Sequence, residues 1–473
     1  MNTGERDTIA EPTAEPTTEN STTNRKQPFP QGFLDTISTG WAERPESLPS
    51  QRAQAPYAAA RRAAVSAAFP GKRLVIAAGS LKQRSNDTDY VFRAHSAFAH
   101  LTGWASDAEP DSLLVFDPTD DGHDVTLYFR ERADRTTTEF YADATIGEFW
   151  IGPRPALAGV AADLGVSTDH LEAFEAGDDD LTLDDAELAR FVSELRLVKD
   201  EFEIAEMRRA VEITANGFDD IIRSLPQAVA HARGERVVEG VFHRRAREDG
   251  NGEGYDTIAA SGPHACYLHW TRNDGTVVPG DLILVDAGVE ADSLYTADIT
   301  RTLPVSGTFT EVQRRVYETV REAADAAFAA AQVGVPFRDV HGAAMQVIAQ
   351  RTAEWGLLPV TAEEALDADA GGQHRRYMVH GTSHHLGIDV HDCAQARREM
   401  YYDGILEPGM VFTIEPGLYF QIDDLTVPAE YRGIGVRIED DILMTADGPV
   451  NLSAGIPRTA DEVEAWIARV QQG

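Results

Sequence analysis

Apolar and polar residues are arranged along the chain in two ways, and the change comes near residue 195. Before it, short apolar runs at 73–79, 113–116 and 125–129 lie between loops rich in Asp and Gly, which predicts buried strands. After it, apolar residues at helical spacing follow an acidic first turn, which predicts a helix over 201–224. Further helices are predicted near 235–248, 311–332 and 337–355, and strand-rich blocks over 257–305 and 376–446.

The second region repeats one order of elements, a pair of helices followed by a block of strands. We therefore predict an α+β fold, in which an N-terminal α/β domain precedes two α+β units around an antiparallel sheet. The predicted divisions are a disordered acidic tail at 1–30, the N-terminal domain at 31–195 and the second domain at 196–473. The acidic stretch at 170–188 is interpreted as a solvated loop.

The charge of the 473-residue chain excludes several partners. It has 78 acidic and 42 basic residues, a net charge of −36, and such a surface repels nucleic acid and anionic lipid. No run approaches the ~18 apolar residues of a membrane span, and the start lacks the basic-then-apolar pattern of a secretory signal. Two cysteines, Cys266 and Cys393, cannot form a disulfide framework. We expect a cytoplasmic protein without nucleic-acid or membrane partners.

Four carboxylates lie where strands would bury them. Asp286 and Glu415 each directly follow an apolar run. Asp298 opens the return strand of a predicted hairpin from Asp286, and Glu439 lies in mid-strand, where period two places it on one face with Arg437 and Asp441. A buried ionised carboxylate is costly unless it is paired or binds a metal, so this recurrence favours two divalent cations.

Each carboxylate also has a plainer interpretation. Asp286 precedes Ala-Gly and Glu415 precedes Pro-Gly, so either could be a turn residue. Glu439 could instead pair with Arg437 or Arg432. Each alternative accounts for one carboxylate only. Together they explain the sequence less well than a metal site does, because a carboxylate in an apolar strand recurs in neighbouring strands.

Histidines cluster between His380 and His391. The intervening glycines make a helix unlikely, and on an extended chain His380 and His384 share a face while His385 points away. We therefore favour His384 over His385 as a metal ligand and interpret His385 as a packing or surface residue. His269 lies beside an aromatic residue, where a histidine is usually structural.

An oxygen-rich ligand set with one imidazole suits Mn²⁺, Co²⁺, Fe²⁺ or Zn²⁺. Two such ions ~3.5–4 Å apart can share bridging carboxylates and hold a hydroxide that attacks a carbonyl. The pattern thus indicates a hydrolase. The chain contains no H-E-x-x-H, G-x-S-x-G, P-loop or G-x-G-x-x-G motif of a competing chemistry.

In combination, these motifs resemble those of the Xaa-Pro aminopeptidases (aminopeptidase P), pita-bread metallopeptidases of family M24. The resemblance runs from about 70 to 465. Its motifs are Tyr-Asp-Thr-Ile at 255–258, Leu-His-Trp-Thr at 268–271, Asp-Ala-Gly at 286–288, Asp-Ile-Thr-Arg-Thr at 298–302, His-Gly-Thr-Ser-His at 380–384, Asp-Val-His-Asp at 389–392, Glu-Pro-Gly-Met at 407–410, Glu-Pro-Gly-Leu-Tyr at 415–419, and Tyr-Arg-Gly-Ile-Gly-Val-Arg-Ile-Glu-Asp-Asp at 431–441. It implies a pseudo-twofold antiparallel sheet and release of the N-terminal residue from peptides with proline second.

The resemblance also implies the ligands of two ions, usually manganese. Asp286 resembles the terminal ligand of one ion, and Asp298 and Glu439 resemble the carboxylates that bridge both. His384 and Glu415 resemble the ligands of the other ion.

Catalytic roles follow from the same resemblance. Glu415 resembles the carboxylate that takes the proton of the bridging water. His380 and His391 would bind the scissile carbonyl and its oxyanion, and His269 would place the substrate or shuttle a proton. Arg437 resembles the arginine that orients the site, beside Tyr419.

The N-terminal region bears on quaternary structure, and the spacing of the first two carboxylates differs from that of the family. Phe149-Trp150-Ile-Gly resembles a segment that offers a tryptophan to a neighbouring subunit, which implies a homo-oligomer, either a dimer or a tetramer. Asp286 and Asp298 are twelve residues apart instead of the family's eleven, so we expect the extra residue in the loop at Ala291–Ser293. The family's inter-subunit arginine has no clear match.

Two other functions compete. A prolidase would cleave Xaa-Pro dipeptides with the same metals, and the motifs do not exclude it, although the long N-terminal domain favours the aminopeptidase. An inactive pita-bread binding module is disfavoured, because all five ligands and the three histidines are present.

Overall fold

The computed structural model describes residues 29–44, 47–86 and 88–472, so the predicted tail lies outside the described residues up to residue 28. The helices are α1 (Gln31–Ile37), α2 (Ala55–Ala68), α3 (Ser96–Thr102), α4 (Thr138–Ala142), α5 (Glu148–Ile151), α6 (Leu157–Leu164), α7 (Ala186–Glu194), α8 (Glu201–Val229), α9 (Gly234–Asp249), α10 (Glu311–Ala330), α11 (Arg338–Glu354), α12 (Ala362–Ala365) and α13 (Ala460–Gln472). The strands are β1 (Leu74–Ala77), β2 (Gln83–Ser85), β3 (Thr88–Asp89), β4 (Leu113–Thr119), β5 (Gly122–Phe129), β6 (Ser167–His170), β7 (Gly252–Glu253), β8 (Ile258–Ser261), β9 (Leu282–Ala287), β10 (Val289–Glu290), β11 (Ile299–Pro304), β12 (Val411–Ile414), β13 (Gly417–Tyr419), β14 (Gly435–Arg437), β15 (Asp440–Thr445) and β16 (Gly448–Asn451).

The chain divides into two compact units. The smaller takes its described residues from Met1–Glu46, Ser80–Phe92 and Arg132–Arg154, and the larger from Ser47–Gly79, Arg93–Glu131 and Pro155–Gly473. This division follows spatial contacts and not the change of sequence pattern near residue 195. The predicted boundaries at 31–195 and 196–473 therefore stay predictions.

The smaller unit is held by aromatic packing. Phe33 and Tyr141 meet edge to face with ring centroids 5.2 Å apart, and Trp41 meets Phe140 in the same way at 5.5 Å. The indole N–H of Trp150 donates to the carbonyl of Tyr141 at 2.7 Å. The Trp150 side chain nevertheless remains 60% exposed.

The N-terminal strands of the larger unit form a four-stranded sheet in the order β1-β4-β5-β6, in which only β5 and β6 run parallel. The three strands predicted there are confirmed as β1, β4 and β5. The acidic stretch at 170–188 is mostly exposed, as predicted. Asp180 is an exception within this stretch, because its carboxylate is paired with Arg73, which donates to it at 2.9 Å.

The predicted order of two helices and then strands is confirmed in both halves of the remaining chain. Helices α8 and α9 precede the antiparallel sheet β11-β9-β8, and α10 and α11 precede the antiparallel sheet β12-β15-β16. Asp200 begins α8 with a capping box, accepting from the Glu203 N–H while Glu203 accepts from the Asp200 N–H. The apolar faces of these elements share one core, which includes Phe218, Phe242 and Phe412.

Two strand predictions need correction. The block at 376–446 has its strands only from Val411 onward, and the described residues 377–410 are turns and irregular chain. Glu439 does not lie in mid-strand but between β14 and β15. The cause is a change of partner: β14 pairs with β13 and β15 with β12, and Pro416 between those partners has no N–H with which to continue the ladder.

The two halves are hydrogen-bonded to each other at Glu439, where the strand is interrupted. The Glu439 N–H donates to the Thr300 carbonyl at 3.1 Å, and the Arg437 N–H donates to the Thr302 hydroxyl at 3.2 Å. Strand β11 of the first half is therefore hydrogen-bonded to the chain of the second half where β14 ends and β15 begins. Both sheets meet at the point where the predicted carboxylates lie.

Candidate metal centre and active site

One cavity of about 560 Å³ brings together every predicted site residue. Its walls include the five predicted ligands, the three predicted histidines and the predicted arginine: Asp286, Asp298, His384, Glu415, Glu439, His269, His380, His391 and Arg437. Oxygen and nitrogen atoms of three of them, Asp298, His384 and Glu439, lie within 4.8 Å of one another, a spacing that would hold a metal ion. The roles assigned to these residues stay predictions.

The first-half carboxylates are placed by a hairpin. Strands β9 and β11 pair antiparallel with Ala287 opposite Ile299, which brings Asp286 and Asp298 side by side as predicted. The Tyr255 hydroxyl contacts both carboxylates and donates to Asp286 at 2.7 Å. The hairpin turns at Ala291–Leu294, and whether the extra residue of this chain lies there stays a prediction.

The second half supplies Arg437 and Glu439 from either side of Thr300. Thr300 donates its hydroxyl to the Glu439 carboxylate at 2.6 Å and accepts from Arg437 Nε at 3.1 Å. Arg437 also forms an ion pair with Asp286. Asp441 accepts the Asp298 N–H at 3.2 Å, so Arg437, Glu439 and Asp441 all contact the segment Asp298–Thr300.

His384 and Glu415 are aligned by main-chain pairing. The chain around residue 384 runs alongside β12: the Thr413 N–H donates to the His384 carbonyl at 2.9 Å, and the Glu415 N–H donates to the Thr382 carbonyl at 2.8 Å. His384 Nδ1 lies 3.2 Å from the His385 carbonyl, which turns Nε2 toward Asp298 at 3.3 Å and Glu415 at 3.7 Å. His385 lies outside the cavity, buried against Phe337 with ring centroids 4.6 Å apart, which matches the packing role predicted for it.

The other histidines occupy different environments. His380 Nε2 accepts from the Tyr419 hydroxyl at 2.8 Å, and its Nδ1–H donates to the Gly381 carbonyl at 2.6 Å. The Tyr419 oxygen in turn accepts from Arg437 at 3.1 Å. The His391 ring packs at a tilt of 54° against that of His384, with centroids 4.1 Å apart, and His391, like His269, is exposed at the cavity.

Burial and crowding control the charge of this cavity. Burial, followed by neighbouring carboxylates, raises the pKa of Glu439 well above its usual value. Burial and the nearby carboxylates likewise raise the pKa of Glu415 to about 7. Burial lowers the pKa of His380 to about 3, and Arg437 adds to that shift. Burial opposes protonation of His384, but its hydrogen bond with Asp298 and the charge of Glu415 raise its pKa to about 9.

These shifts provide a test of whether the residues fit a metal. Among the described residues that line the cavity, five are carboxylates, namely the four predicted ligands and Asp256, and Arg437 alone carries a permanent positive charge. The carboxylates therefore lack the positive charge that would keep all of them ionised near neutral pH. Divalent cations supply it, and carboxylate oxygens with one imidazole are suitable ligands. The donor set fits divalent metal ions.

Several structural residues of the site were not predicted. Tyr255 and Thr300 lie in the motifs at 255–258 and 298–302, which were the available signal for both. Glu235 was not predicted either, and no sequence motif pointed to it. Its buried carboxylate accepts hydrogen bonds from four groups of the loop that carries His269: the Ser261 N–H at 2.8 Å, His264 Nδ1 at 2.7 Å, Trp270 Nε1 at 2.9 Å and the Gly275 N–H at 2.6 Å.

Replacing Glu235 tests whether this anchor positions His269. Glu235→Gln puts an amide N–H₂ against groups that are all donors, which leaves buried donors unpaired at about 1–3 kcal/mol each. We expect a lower Tm and a kcat for peptide hydrolysis lowered by about 10-fold, since small misplacements of catalytic groups are costly, with a smaller change in KM. The matched control is Glu239→Gln, one turn later on α9. A kcat that stays unchanged while Tm falls would restrict Glu235 to a purely structural role.

Two family models match the chain. Residues 205–446 match the model described as metallopeptidase family M24, and residues 58–179 match the aminopeptidase P N-terminal domain. The chain is 50% identical to Xaa-Pro aminopeptidase 1 of Streptomyces coelicolor over 93% of this chain and 92% of that protein. It is 52% identical to Xaa-Pro aminopeptidase 2 of the same organism over 92% of this chain and 95% of the relative.

A solved structure agrees in fold. A variant of Escherichia coli aminopeptidase P in complex with substrate is 30% identical and superposes with a TM-score of 0.75, covering 90% of this chain and 100% of that one. The chain therefore belongs to metallopeptidase family M24 and has its pita-bread fold. It is an enzyme, a hydrolase of peptide bonds, and within the family it groups with the Xaa-Pro aminopeptidases. The predicted fold and enzyme class are confirmed.

Across the described part of the chain, every helix is too short or too polar to span a lipid bilayer.

Proposed function

We propose that this chain is an Xaa-Pro aminopeptidase that releases the N-terminal residue from peptides whose second residue is proline. The observation that carries the proposal is the complete set of candidate ligands and histidines around one cavity. It occurs in a chain that resembles Xaa-Pro aminopeptidases along nearly its whole length. Asp286, Asp298, His384, Glu415 and Glu439 would hold two divalent ions.

When bound, the ions supply the positive charge that makes a water molecule acidic near neutral pH and polarises the scissile carbonyl. Glu415 takes the proton of the attacking water and delivers it to the departing proline nitrogen. Arg437 holds Asp286 by its ion pair and, through Thr300, is linked to Glu439. These contacts fix the carboxylates before substrate arrives.

His391 is the best placed donor for the oxyanion. Burial and the nearby His384 and His269 lower the pKa of His391 to about 4, so the ring is neutral at pH 7 and retains one N–H to donate. The ring is exposed at the cavity. His380 already has both nitrogens engaged, so its donation to the carbonyl requires substrate to displace the Gly381 carbonyl.

Four finer features belong to the same proposal. Manganese is the proposed metal, from the family resemblance and the oxygen-rich ligands. A homo-oligomer, dimer or tetramer, is proposed because Phe149 and Trp150 of the smaller unit are 59% and 60% exposed, more apolar surface than a monomer usually leaves there. A cytoplasmic location is proposed from composition, and His269 is proposed to place the substrate at the cavity mouth.

The test uses three peptides with purified protein and Mn²⁺. We expect release of arginine from Arg-Pro-Pro, measured by chromatography, and its loss with a chelator. Arg-Ala-Pro is the matched control, and we expect its hydrolysis to be slower by at least about 10²-fold, since a site built for one residue rejects another by its fit.

Two outcomes would contradict the proposal. Cleavage confined to the dipeptide Gly-Pro would identify a prolidase. Failure to cleave any of these peptides with any divalent metal would favour the inactive binding module.

A further inference from the structure

A second cavity of about 550 Å³ opens beside the active-site cavity, and the two share His269 as a wall. Five further residues line it, and we name this surface the aromatic shelf: Pro263, His264, Tyr267, Trp270 and Arg272. None of the five belongs to the proposed metal or catalytic set. The shelf therefore continues the active site outward from His269.

The shelf presents flat apolar surfaces and one cation. Trp270 stacks on His264 with ring centroids 3.8 Å apart and on Tyr267 at 5.7 Å and 30°. The Arg272 guanidinium lies 4.3 Å above the Trp270 ring. Tyr267 is 47% exposed, so one face of the stack is open to a ligand. Such a surface accepts aromatic or aliphatic side chains.

The shelf is rigid before any ligand binds. Glu235 holds the rings of His264 and Trp270 through its two carboxylate oxygens. On the other side, the side chain of Gln421 donates to the Cys266 carbonyl at 2.8 Å. A preorganised surface avoids the ordering cost that weakens binding by mobile loops.

The shelf adjoins the active-site cavity at His269, and this location indicates which part of a substrate would contact it. If the proposed function holds, the first residue and the proline of the substrate occupy the cavity inside His269, and the rest of the peptide leaves through the mouth. Five residues that line this cavity are exposed, and two of them, His269 and Thr271, lie on the side that adjoins the shelf. A peptide that leaves the cavity past His269 carries the residue after the proline over the shelf.

We propose that the aromatic shelf is a binding site for the peptide residues that follow the proline, with preference for an apolar or aromatic third residue. This inference rests on the proposed function. The exposed ring of Tyr267 contacts the third side chain, and Trp270, which is only 8% exposed, supports that ring by stacking on it. Arg272, which has no carboxylate partner among the described residues, faces the free carboxylate of short peptides.

The first test measures kcat/KM for Arg-Pro-Phe and Arg-Pro-Gly. We expect the unaltered enzyme to prefer Arg-Pro-Phe by about 3- to 10-fold, the range of one aromatic contact, mainly through KM. Tyr267→Ala removes this preference, whereas Tyr267→Phe retains the ring and the preference. Tyr402→Ala is the matched control, because Tyr402 is another exposed tyrosine, with Arg398 stacked 4.4 Å from its ring.

Arg272 is tested with the same peptide as free acid and as amide. Arg272→Gln should lower kcat/KM for the free acid by about 2- to 5-fold, as expected for an exposed ion pair, and leave the amide unchanged. Arg469→Gln, an exposed arginine on α13, is the control. Equal effects on acid and amide would overturn the assignment of Arg272.

A binding measurement separates the shelf from the proposed activity. Calorimetry with the metal-loaded enzyme compares the dipeptides Pro-Phe and Pro-Gly, which correspond to the products. We expect Pro-Phe to bind about 3- to 10-fold more tightly, and the difference to vanish in Tyr267→Ala. Equal affinities would overturn the shelf even when Arg-Pro-Phe is hydrolysed. A shelf effect on binding without hydrolysis of any peptide would contradict only the proposed function.

Discussion

Glu415→Ala is expected to lower kcat/KM for Arg-Pro-Pro by at least about 10³-fold, because one substitution removes both the proposed general base and a proposed metal ligand. The fold should persist, since the Glu415 side chain makes no hydrogen bond with the described residues, and its neighbours His380 and His384 lie 3.6 Å and 3.7 Å away. Circular dichroism and Tm check the fold, and release of arginine checks activity.

The stability of the metal-free variant has a predictable pH dependence. Burial and neighbouring carboxylates raise the folded-state pKa of Glu415 to about 7, above its unfolded value. A carboxyl with a raised pKa destabilises the fold above its unfolded pKa, and the effect disappears as pH falls below that value. Without metal, Glu415→Ala should therefore match or exceed the wild-type Tm at pH 8, and the difference should shrink toward pH 5.

The chain contains its own control for this experiment. Glu407 begins a second Glu-Pro-Gly sequence, but its side chain is exposed. Glu407→Ala should behave as wild type in both activity and Tm. Turnover by Glu415→Ala within a factor of about ten of wild type would remove Glu415 from the mechanism, because a general base contributes more than that.

Removal of divalent metal should abolish hydrolysis and lower Tm, and Mn²⁺ should restore both. Five carboxylates and a single guanidinium line the cavity, so the folded state gains from a cation that the unfolded chain does not hold. At a free metal concentration of about 100 times the Kd, binding of one ion stabilises the fold by about 2.7 kcal/mol. The gain should decrease at acid pH, because burial raises the pKa of Asp298, Glu415 and Glu439 and protons then compete with the metal.

Asp298→Asn identifies the site of this effect. The variant keeps the volume of the side chain but removes the charge at the centre of the candidate ligand cluster. Its Tm should no longer respond to Mn²⁺, whereas that of Glu407→Ala should respond as wild type does. A wild-type response in Asp298→Asn, measured by differential scanning calorimetry, would place the stabilising ion elsewhere.

Local patterns predicted most of the fold. Helices α9, α10 and α11 lie within two residues of their predicted bounds, because amphipathic spacing and caps are local properties. Helix α8 was predicted to end at residue 224 but continues to Val229, through Pro226. The burial of Leu225 and Ala228 compensates for the hydrogen bond that the proline cannot make, and this compensation depends on tertiary packing.

The candidate site was predictable only where it follows from local strands or motifs. Asp286 pairs with Thr300, two residues after Asp298, so the proximity of the two carboxylates is a property of the hairpin, and period two brought Arg437 into consideration. The contact of Thr300 with Arg437 and Glu439 joins residues more than 130 positions apart and needs the assembled sheets. Glu235 lies in an ordinary amphipathic helix, so no local pattern distinguishes it from a surface glutamate.

The meeting of the two halves at Thr300 has a consequence for folding. Asp286 and Asp298 belong to the first half, and His384, Glu415 and Glu439 to the second, so neither half alone contains a complete ligand set. A partly folded state in which only one half is ordered has no catalytic centre, however native its helices and strands. Activity recovered during refolding is therefore a measure of domain-wide assembly, and a metal held by the proposed ligands would bind the two halves of one chain to each other.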